Sequence, residues 1–305
     1  MRWLLPALQP SNMRSIYSAL LANILIALTK FIAGALTNSS SMIAEGIHST
    51  VDTVNQLLLL YGIKQSKKPA DQSRPFGYGK DLYFWSFMVS VLIFGLGGGL
   101  SIYQGILHIV HAEPLGDPTW NYVVLGASFV FESASLLVAI KEFNAAREGV
   151  PFWKAIVRSK DPSSFLVLFE DGAAVIGLVI VFVLMQFSHA LNMPMLDGVA
   201  SVLVGLLLIG VSLILARESR SLLMGEGIAE ASQEKIIGLT EKDPSVIKVL
   251  NVLSNYQSPK EVVLMLMISF EPDLQTRDMT DAIERIRGVI KKEFPLIKFV
   301  IVQPG

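Results

Sequence analysis

Two ionisable side chains stand four residues apart within an apolar stretch that is long enough to cross a membrane. They are His48 and Asp52. Residues four apart lie on one face of a helix, so an imidazole nitrogen and a carboxylate oxygen can bind one divalent metal ion together. Ionisable groups inside a bilayer are costly and usually functional. The pair therefore indicates a protein that handles metal ions.

The pair belongs to a longer polar stripe on the same helix face. The stripe consists of Glu45, His48, Asp52 and Asn55. A stripe this polar must face protein or water rather than lipid. A hydrogen-bonded helix interface is the plain alternative, but Asn or Ser would serve an interface at lower cost, so we favour a metal or proton site. Glu45 and Asn55 are candidates for a proton relay or a fourth ligand.

A second acidic pair, Glu170 and Asp171, lies in a later apolar stretch. At ~1.5 Å per residue, His48 and Asp171 each lie about 14 Å into a membrane core of ~30 Å, so they can meet. Adjacent residues point about 100° apart on a helix, so these two acids cannot fully share a face. We predict that Asp171 is a metal ligand. Glu170 is a ligand, a proton carrier or an interhelical contact.

Other polar residues within or beside the apolar stretches carry further expectations. Glu132 is a fourth ligand, a proton relay or a packing residue. Lys30 either snorkels towards the outer surface or pairs with an acid such as Glu45. Asp197 is expected to cap the N-terminus of its own helix. Three histidines near the outer surface are expected to be incidental: His108, His111 and His189.

The elements that must position these residues are apolar helices. Hydrophobic residues make up 52% of the 305 and charged residues 17%, whereas soluble domains average about 25% charged. We predict an α-helical membrane protein with a six-helix transport domain at residues 1–226. The six transmembrane helices are expected near 13–36, 39–64, 80–109, 118–142, 162–188 and 195–221.

Basic residues predict the orientation, because Lys and Arg concentrate in cytoplasmic loops. The loops at 37–40, 110–117 and 189–197 contain neither residue. The start of the chain lacks the layout of a signal peptide. We expect a multi-pass protein with both termini in the cytoplasm, in a bacterial inner (plasma) membrane. The basic residues on the expected cytoplasmic side are Arg2, Arg14, Lys64, Lys67, Lys68, Arg74, Lys80, Lys141, Arg147, Lys154, Arg158, Lys160, Arg217 and Arg220.

Residues 227–305 predict a small cytoplasmic α+β domain with the order α-β-β-α-β. The helices are expected at 228–242 and 276–293 and the strands at 246–254, 261–270 and 297–302. This segment contains neither His nor Cys. We therefore expect it to mediate homodimerisation rather than chemistry.

Several functional classes are disfavoured by the sequence. The chain has no cysteine, which excludes disulfides and thiolate metal sites. It has no basic patch interleaved with aromatic residues, so we expect no nucleic-acid partner. It has neither a His-Glu-x-x-His signature nor a nucleophile elbow, so we expect a secondary active transporter rather than an enzyme.

At these residues the chain resembles the cation diffusion facilitator family, of the zinc transporter type. The resemblance covers essentially the whole chain. It implies a homodimeric exporter that exchanges cytoplasmic Zn²⁺, or a similar divalent ion, for protons, with a ferredoxin-like cytoplasmic tail. The matching motifs are Ser39-Ser40-Ser41, Ala44-Glu45-Gly46-Ile47-His48-Ser49-Thr50-Val51-Asp52, Arg74-Pro75-Phe76-Gly77-Tyr78-Gly79-Lys80 and Asp197-Gly198-Val199-Ala200-Ser201.

Three departures from the family pattern indicate a divergent member. Val167 stands where the family has the first ligand of the fifth helix, so the usual set of one His and three Asp is one ligand short. Arg74 and Tyr78 stand where metal-binding members have His before the third helix. The tail lacks the His residues that bind regulatory zinc in some members. The candidates for the missing intramembrane ligand are Glu170, Glu132, Asn55 and a water molecule.

Metal binding requires a neutral imidazole and ionised carboxylates, so protons and metal compete for the same lone pairs. This competition predicts Zn²⁺/H⁺ antiport. His48 favours Zn²⁺, since imidazole suits that ion and harder ions prefer oxygen. The missing ligand leaves export of Mn²⁺ or Fe²⁺ open. A membrane metal sensor or scaffold that does not transport is the alternative of a different class.

Overall fold

The structure is a computed structural model that describes residues 10–111, 117–147, 149–152, 155–156 and 159–305. The predictions that rest on the first nine residues, on Lys154 and on Arg158 lie outside this range.

Long helices dominate the first two thirds of the chain. The third predicted helix is built of two α-helices joined by a π-helical segment, Ile93–Gly99, that contains three consecutive glycines. The helices are α1 (Pro10–Thr37), α2 (Ser40–Ser66), α3 (Asp81–Leu92), α4 (Leu100–Val110), α5 (Thr119–Ala146), α6 (Pro162–Leu191) and α7 (Met195–Met224).

Four of the described helical stretches are long and apolar enough to cross a membrane. In α1 only a shorter apolar stretch, Asn23–Thr37, stands out among the described residues, and α2 carries the polar stripe. The chain is a membrane protein with several apolar helices, and the predicted number of six spans stays a prediction. The four spans are Asp81–Val110, Thr119–Ala145, Phe165–Leu191 and Met195–Met224.

Glycines allow the third long helix and α7 to pack closely. A Cβ on Gly98 would lie 2.5 Å from Ile209 Cγ1, and one on Gly105 would lie 2.6 Å from the carbonyl oxygen of Gly198. Small residues permit such close approach of helix backbones in membranes. The glycines of these two helices therefore fix their spacing.

The C-terminal residues form a small three-stranded sheet covered by two helices, in the predicted order α-β-β-α-β. Strands β1 and β2 are antiparallel, and β2 and β3 are parallel. Alternate residues of β2 are buried and pack with Ala282, Ile286 and Ile290 of the second helix. The elements are α8 (Glu230–Thr240), β1 (Val246–Ser258), β2 (Glu261–Phe270), α9 (Thr276–Glu293) and β3 (Ile297–Pro304).

The described residues form two compact units. One, which we call the membrane unit, contains the residues up to Gly62 together with Trp85–Ser219, and the other contains Ile63–Phe84 together with Arg220–Gly305. In the second unit the ring of Phe76 packs edge-on against Phe299, with centroids 5.6 Å apart. The loop before α3 therefore folds with the C-terminal sheet. The division between residues 226 and 227 stays a prediction.

Candidate metal centre

Helix α2 buries most of the polar stripe, as its spacing predicts, and leaves the side chain of Asp52 14% exposed. Glu45 and Asn55 are 0% exposed and His48 is 2% exposed. The Nδ1 atom of His48 lies 3.5 Å from Oδ1 of Asp52, which is longer than a good hydrogen bond. Nε2 of His48 and Oδ1 of Asp52 have no hydrogen-bond partner among the described residues. Buried lone pairs without a partner are what a metal ion requires.

Helix α6 directs its two adjacent acids towards different helices. Oε1 of Glu170 accepts a hydrogen bond of 2.7 Å from Nδ2 of Asn55 on α2. Oδ2 of Asp171 accepts one of 2.7 Å from the hydroxyl of Ser135 on α5. Both carboxyl groups are buried. The two side chains therefore bond to different helices, and Asn55 serves as an interhelical contact to Glu170. Both acids nevertheless reach the same cavity.

Four carboxylate residues from three helices surround one cavity of about 10 Å³, which has room for about one water molecule. The described lining does not include His48, Glu45, Asn55 or Val167. The residues that line the cavity are Asn23, Ile26, Ser49, Asp52, Gln56, Glu132, Glu170 and Asp171.

The acids share a cavity without forming a finished coordination shell. In the described part of the chain, no group of three or more His, Cys, Asp or Glu side chains is placed to hold a metal ion. Carboxylates that face one another in a poorly solvated site repel when all are ionised. The arrangement therefore favours the uptake of positive charge, whether as protons or as a cation.

Sequence reasoning did not single out Ser49, Gln56 and Ser135 as part of this site. Ser49 and Gln56 stand three residues before and four residues after Asp52, and Ser135 stands three residues after Glu132. The helical repeat that revealed the stripe would have placed them on the same faces.

Lys30 pairs with Glu45 rather than snorkelling. Its Nζ atom donates hydrogen bonds of 2.9 Å to Oε2 of Glu45 and 2.8 Å to the hydroxyl of Ser49. Lys30 and Glu45 are each 0% exposed. Of the two predicted alternatives, pairing with Glu45 is confirmed and snorkelling is wrong.

The predicted role of Asp197 as the cap of its own helix is wrong. Helix α7 begins at Met195, so Asp197 lies within its first turn. Its buried carboxylate instead accepts hydrogen bonds from the backbone N–H of Ser41 at 3.0 Å and from three hydroxyl groups. Asp197 therefore caps α2 from a neighbouring helix. The hydroxyl donors are those of Ser39, Ser40 and Ser41.

His108 lies beside this cap. Its Nε2 atom is 4.0 Å from Oδ2 of Asp197, and its side chain is 10% exposed. The distance is too long for a hydrogen bond. Nothing in this geometry links His108 to the acidic cavity.

The loop before α3 is closed by its own side chains. The hydroxyl of Tyr78 donates a 2.6 Å hydrogen bond to Asp71, and the guanidinium of Arg74 lies over the Tyr78 ring at 4.4 Å and pairs with Asp81. Hydrogen bonds from Tyr78 and Ser73 hold the pKa of Asp71 well below its usual value. Arg74 and Tyr78, which stand where the resemblance implies metal-binding His in other members, are thus engaged in contacts within the loop.

Residues 16–224 match the family model described as the cation efflux transmembrane domain. The match covers more than half of the chain and includes every residue of the cavity. The chain belongs to the cation diffusion facilitator family. The recognition made from the motifs of α2, α7 and the loop before α3 is therefore confirmed.

Relatives of this family member are found in animals, plants and bacteria. The chain is 36% identical to the proton-coupled zinc antiporter SLC30A9, mitochondrial, of Homo sapiens over 250 residues, which cover 81% of this chain and 44% of that protein. It is 34% identical to metal tolerance protein C4 of Arabidopsis thaliana, covering 81% of this chain and 55% of the relative. The chain thus spans about half the length of these relatives.

More distant matches come from bacteria. The magnetosome protein MamM of Paramagnetospirillum magneticum is 25% identical over 276 residues, covering 89% of this chain and 81% of that protein. The match with a solved C-terminal domain of MamM, in a nickel form, covers 25% of this chain and 96% of that domain, with 18% identity and a TM-score of 0.24. That score carries no argument about the fold. The predicted bacterial inner membrane gains no support from these relatives, since one is named as mitochondrial.

Proposed function

We propose that this family member is a divalent cation transporter that exports Zn²⁺ in exchange for protons. The observation that carries the proposal is the shared cavity at which Asp52, Glu132, Glu170 and Asp171 meet. Membership of the family and the name of the zinc antiporter relative support the same activity.

The proposed ligands are His48 and Asp52 from α2 and Glu170 and Asp171 from α6. Zn²⁺ takes nitrogen and oxygen ligands in four-coordinate sites, and this set supplies one nitrogen and three carboxylates. Glu170 lines the cavity, whereas the described lining lacks Val167. Glu170 therefore takes the place of the ligand that Val167 cannot provide.

Proton exchange follows from the charge of the cavity. When a divalent ion leaves, carboxylates that were neutralised by it repel one another in surroundings of low dielectric constant. Protons that bind the same oxygens relieve this repulsion, so metal and protons replace each other. We propose Glu132, which lines the cavity on α5, as the proton relay.

Export of Mn²⁺ or Fe²⁺ is the second candidate. The described lining supplies carboxylate, amide and hydroxyl groups but not the His48 imidazole, and harder ions prefer oxygen ligands. This observation favours the harder ions, whereas the proximity of His48 to Asp52 favours Zn²⁺.

The proposed transport domain comprises residues 1–226 with six membrane spans, including α1 and α2, and both termini in the cytoplasm. Helix α2 is too polar to stand out by hydropathy, because its buried face carries the stripe. The chain has no cysteine, so Asn38→Cys introduces a unique thiol in the turn between α1 and α2. An impermeant maleimide added outside cells should label this thiol, and labelling from the cytoplasmic side alone would refute the orientation.

We propose that residues 227–305 form a ferredoxin-like domain that mediates homodimerisation. One face of the sheet packs against the helices, and the other exposes an apolar row in which Leu253, Met265 and Ile301 are register partners. Leu253 is 52% exposed and Ile301 is 39% exposed. Light scattering of the detergent-solubilised protein should give the mass of a dimer, and a monomer would refute this proposal.

Reconstitution of the purified protein into liposomes tests the function. A pH gradient imposed across the liposome membrane should drive Zn²⁺ in the opposite direction to protons. Mn²⁺ or Fe²⁺ added together with Zn²⁺ should reduce the Zn²⁺ flux according to its affinity for the site. Flux of none of the three ions would refute the transport proposal. Metal binding without flux would instead support the sensor alternative.

A further inference from the structure

The buried pair of Lys30 and Glu45 has no role in the proposed exchange reaction. Both side chains are 0% exposed, and their charged atoms lie 2.9 Å apart. A buried ion pair is weak support for stability, because the desolvation of two ions commonly offsets their attraction. An ion pair that is fully buried therefore calls for a functional explanation.

Ser49 connects this pair to the acidic cavity. Its hydroxyl accepts a 2.8 Å hydrogen bond from Nζ of Lys30, and the same residue lines the cavity with Asp52. Ile26, one helical turn before Lys30 on α1, also lines the cavity. The Lys30 ammonium is thus one hydroxyl group away from the site at which the four acids meet.

Glu45 is a buried acid with one oxygen unpaired among the described residues, and it stands one helical turn before Ser49 on α2. Its Oε2 atom is engaged by Lys30, whereas Oε1 is buried without a hydrogen-bond partner in the described structure. Oε1 also lies 3.1 Å from the position of a Cβ on Gly177 of α6, so it points towards the helix that carries Glu170 and Asp171. Without Lys30, Glu45 would be a fifth carboxylate available to a metal ion.

We propose that Lys30 is a positioning residue of the cation site: a tethered positive charge that neutralises Glu45, withholds it from the metal ion and sets how readily the ion leaves. The proposal rests on the proposed transport function. A transported ion must bind well enough to enter the site and weakly enough to leave it. Five free carboxylates would hold a divalent ion too tightly for release.

The alternative is that the pair only clamps α1 to α2. The two explanations predict different changes in KM for the metal ion. A clamp predicts that loss of either partner lowers the stability of the protein and leaves KM for the metal unchanged. A tethered charge predicts that loss of the cation and loss of the acid shift KM in opposite directions.

The experiment measures Zn²⁺ flux in proteoliposomes for Lys30→Met, Glu45→Gln and the double variant, with Lys64→Met at the exposed cytoplasmic end of α2 as the control. Lys30→Met should lower KM about tenfold and lower kcat, because Glu45 is released to the metal ion and slows its departure. Glu45→Gln should raise KM about tenfold, because the ammonium is left uncompensated. The double variant should return KM to within about threefold of the native value.

Two outcomes would overturn the proposal while leaving the transport function standing. One is a KM shift of the same sign in both single variants while the native protein transports Zn²⁺. The other is a lower thermal stability of both single variants with KM unchanged. If Lys30→Met does not fold, a double variant whose KM stays as high as that of Glu45→Gln also overturns it. Absence of flux in the native protein would instead refute the proposed function, and this inference with it.

Discussion

At the scale of single residues, Glu170 combines a fixed orientation with access to the cavity. Its hydrogen bond from Asn55 ties it to α2, and it lines the cavity together with Asp52. A carboxylate held in this way can act as a metal ligand with little loss of side-chain entropy. The proposed role of Glu170 as a ligand thereby accounts for a cation site in a chain with valine at position 167.

The variant Glu170→Gln tests this role. Its amide oxygen can still accept the hydrogen bond from Asn55, so the helix contact is kept while the charge is lost. We expect KM for Zn²⁺ to rise about tenfold, which corresponds to about 1.4 kcal/mol, as measured by flux in proteoliposomes. The matched control Val167→Ala, on the same helix, should leave KM unchanged. Equal KM values for Glu170→Gln and the native protein would show that Glu170 is only a packing contact.

At the scale of elements, α7 is joined to the rest of the membrane unit by two different means. Glycines set its distance to the third long helix, and the carboxylate of Asp197 caps α2. Both contacts need close and specific geometry. The packing of α7 should therefore tolerate little added volume.

Gly98 provides the test of this packing. A Cβ there would lie 2.5 Å from Ile209 Cγ1 and 3.0 Å from the carbonyl oxygen of Gly205. Gly98→Ala should destabilise the protein by about 1–3 kcal/mol through overpacking, seen as a lower thermal midpoint in detergent. Gly126→Ala on α5, where nothing lies within 4 Å of the added Cβ, should stabilise by up to about 1 kcal/mol through helix propensity. A midpoint for Gly98→Ala as high as that of Gly126→Ala would contradict close packing.

The helical repeat predicted the faces of the elements but not their partners. It placed Glu45, His48 and Asp52 on one largely buried face of α2, but it did not predict that Glu170 and Asp171 both reach the cavity. It could not predict that Asp197 caps a helix that begins more than 150 residues earlier in the chain or that Asn55 reaches Glu170. Such contacts depend on the rotation and depth of each helix in the bundle, and these are set by packing with other helices rather than by local sequence.

At the scale of the whole molecule, the two compact units each hold one part of the proposed function. The cavity and its acids lie in the membrane unit. The apolar sheet face proposed for dimerisation lies in the unit that also contains residues 63–84. In that unit Phe76 of the loop packs against Phe299 of β3, which lies more than 200 residues later in the chain. No local pattern indicates such a contact.

The assignment of the cavity as the transport site is tested most directly by Zn²⁺ flux into proteoliposomes under an imposed pH gradient, compared between the native protein and the variants Asp52→Ala and Asp171→Ala. Glu142→Gln, an exposed acid near the end of α5, is the matched control. We expect Glu142→Gln to retain native flux and each correctly folded aspartate variant to lose flux by at least about tenfold, since a lost charged ligand costs more than about 1.4 kcal/mol. Native flux in both aspartate variants would contradict the assignment of the cavity as the transport site.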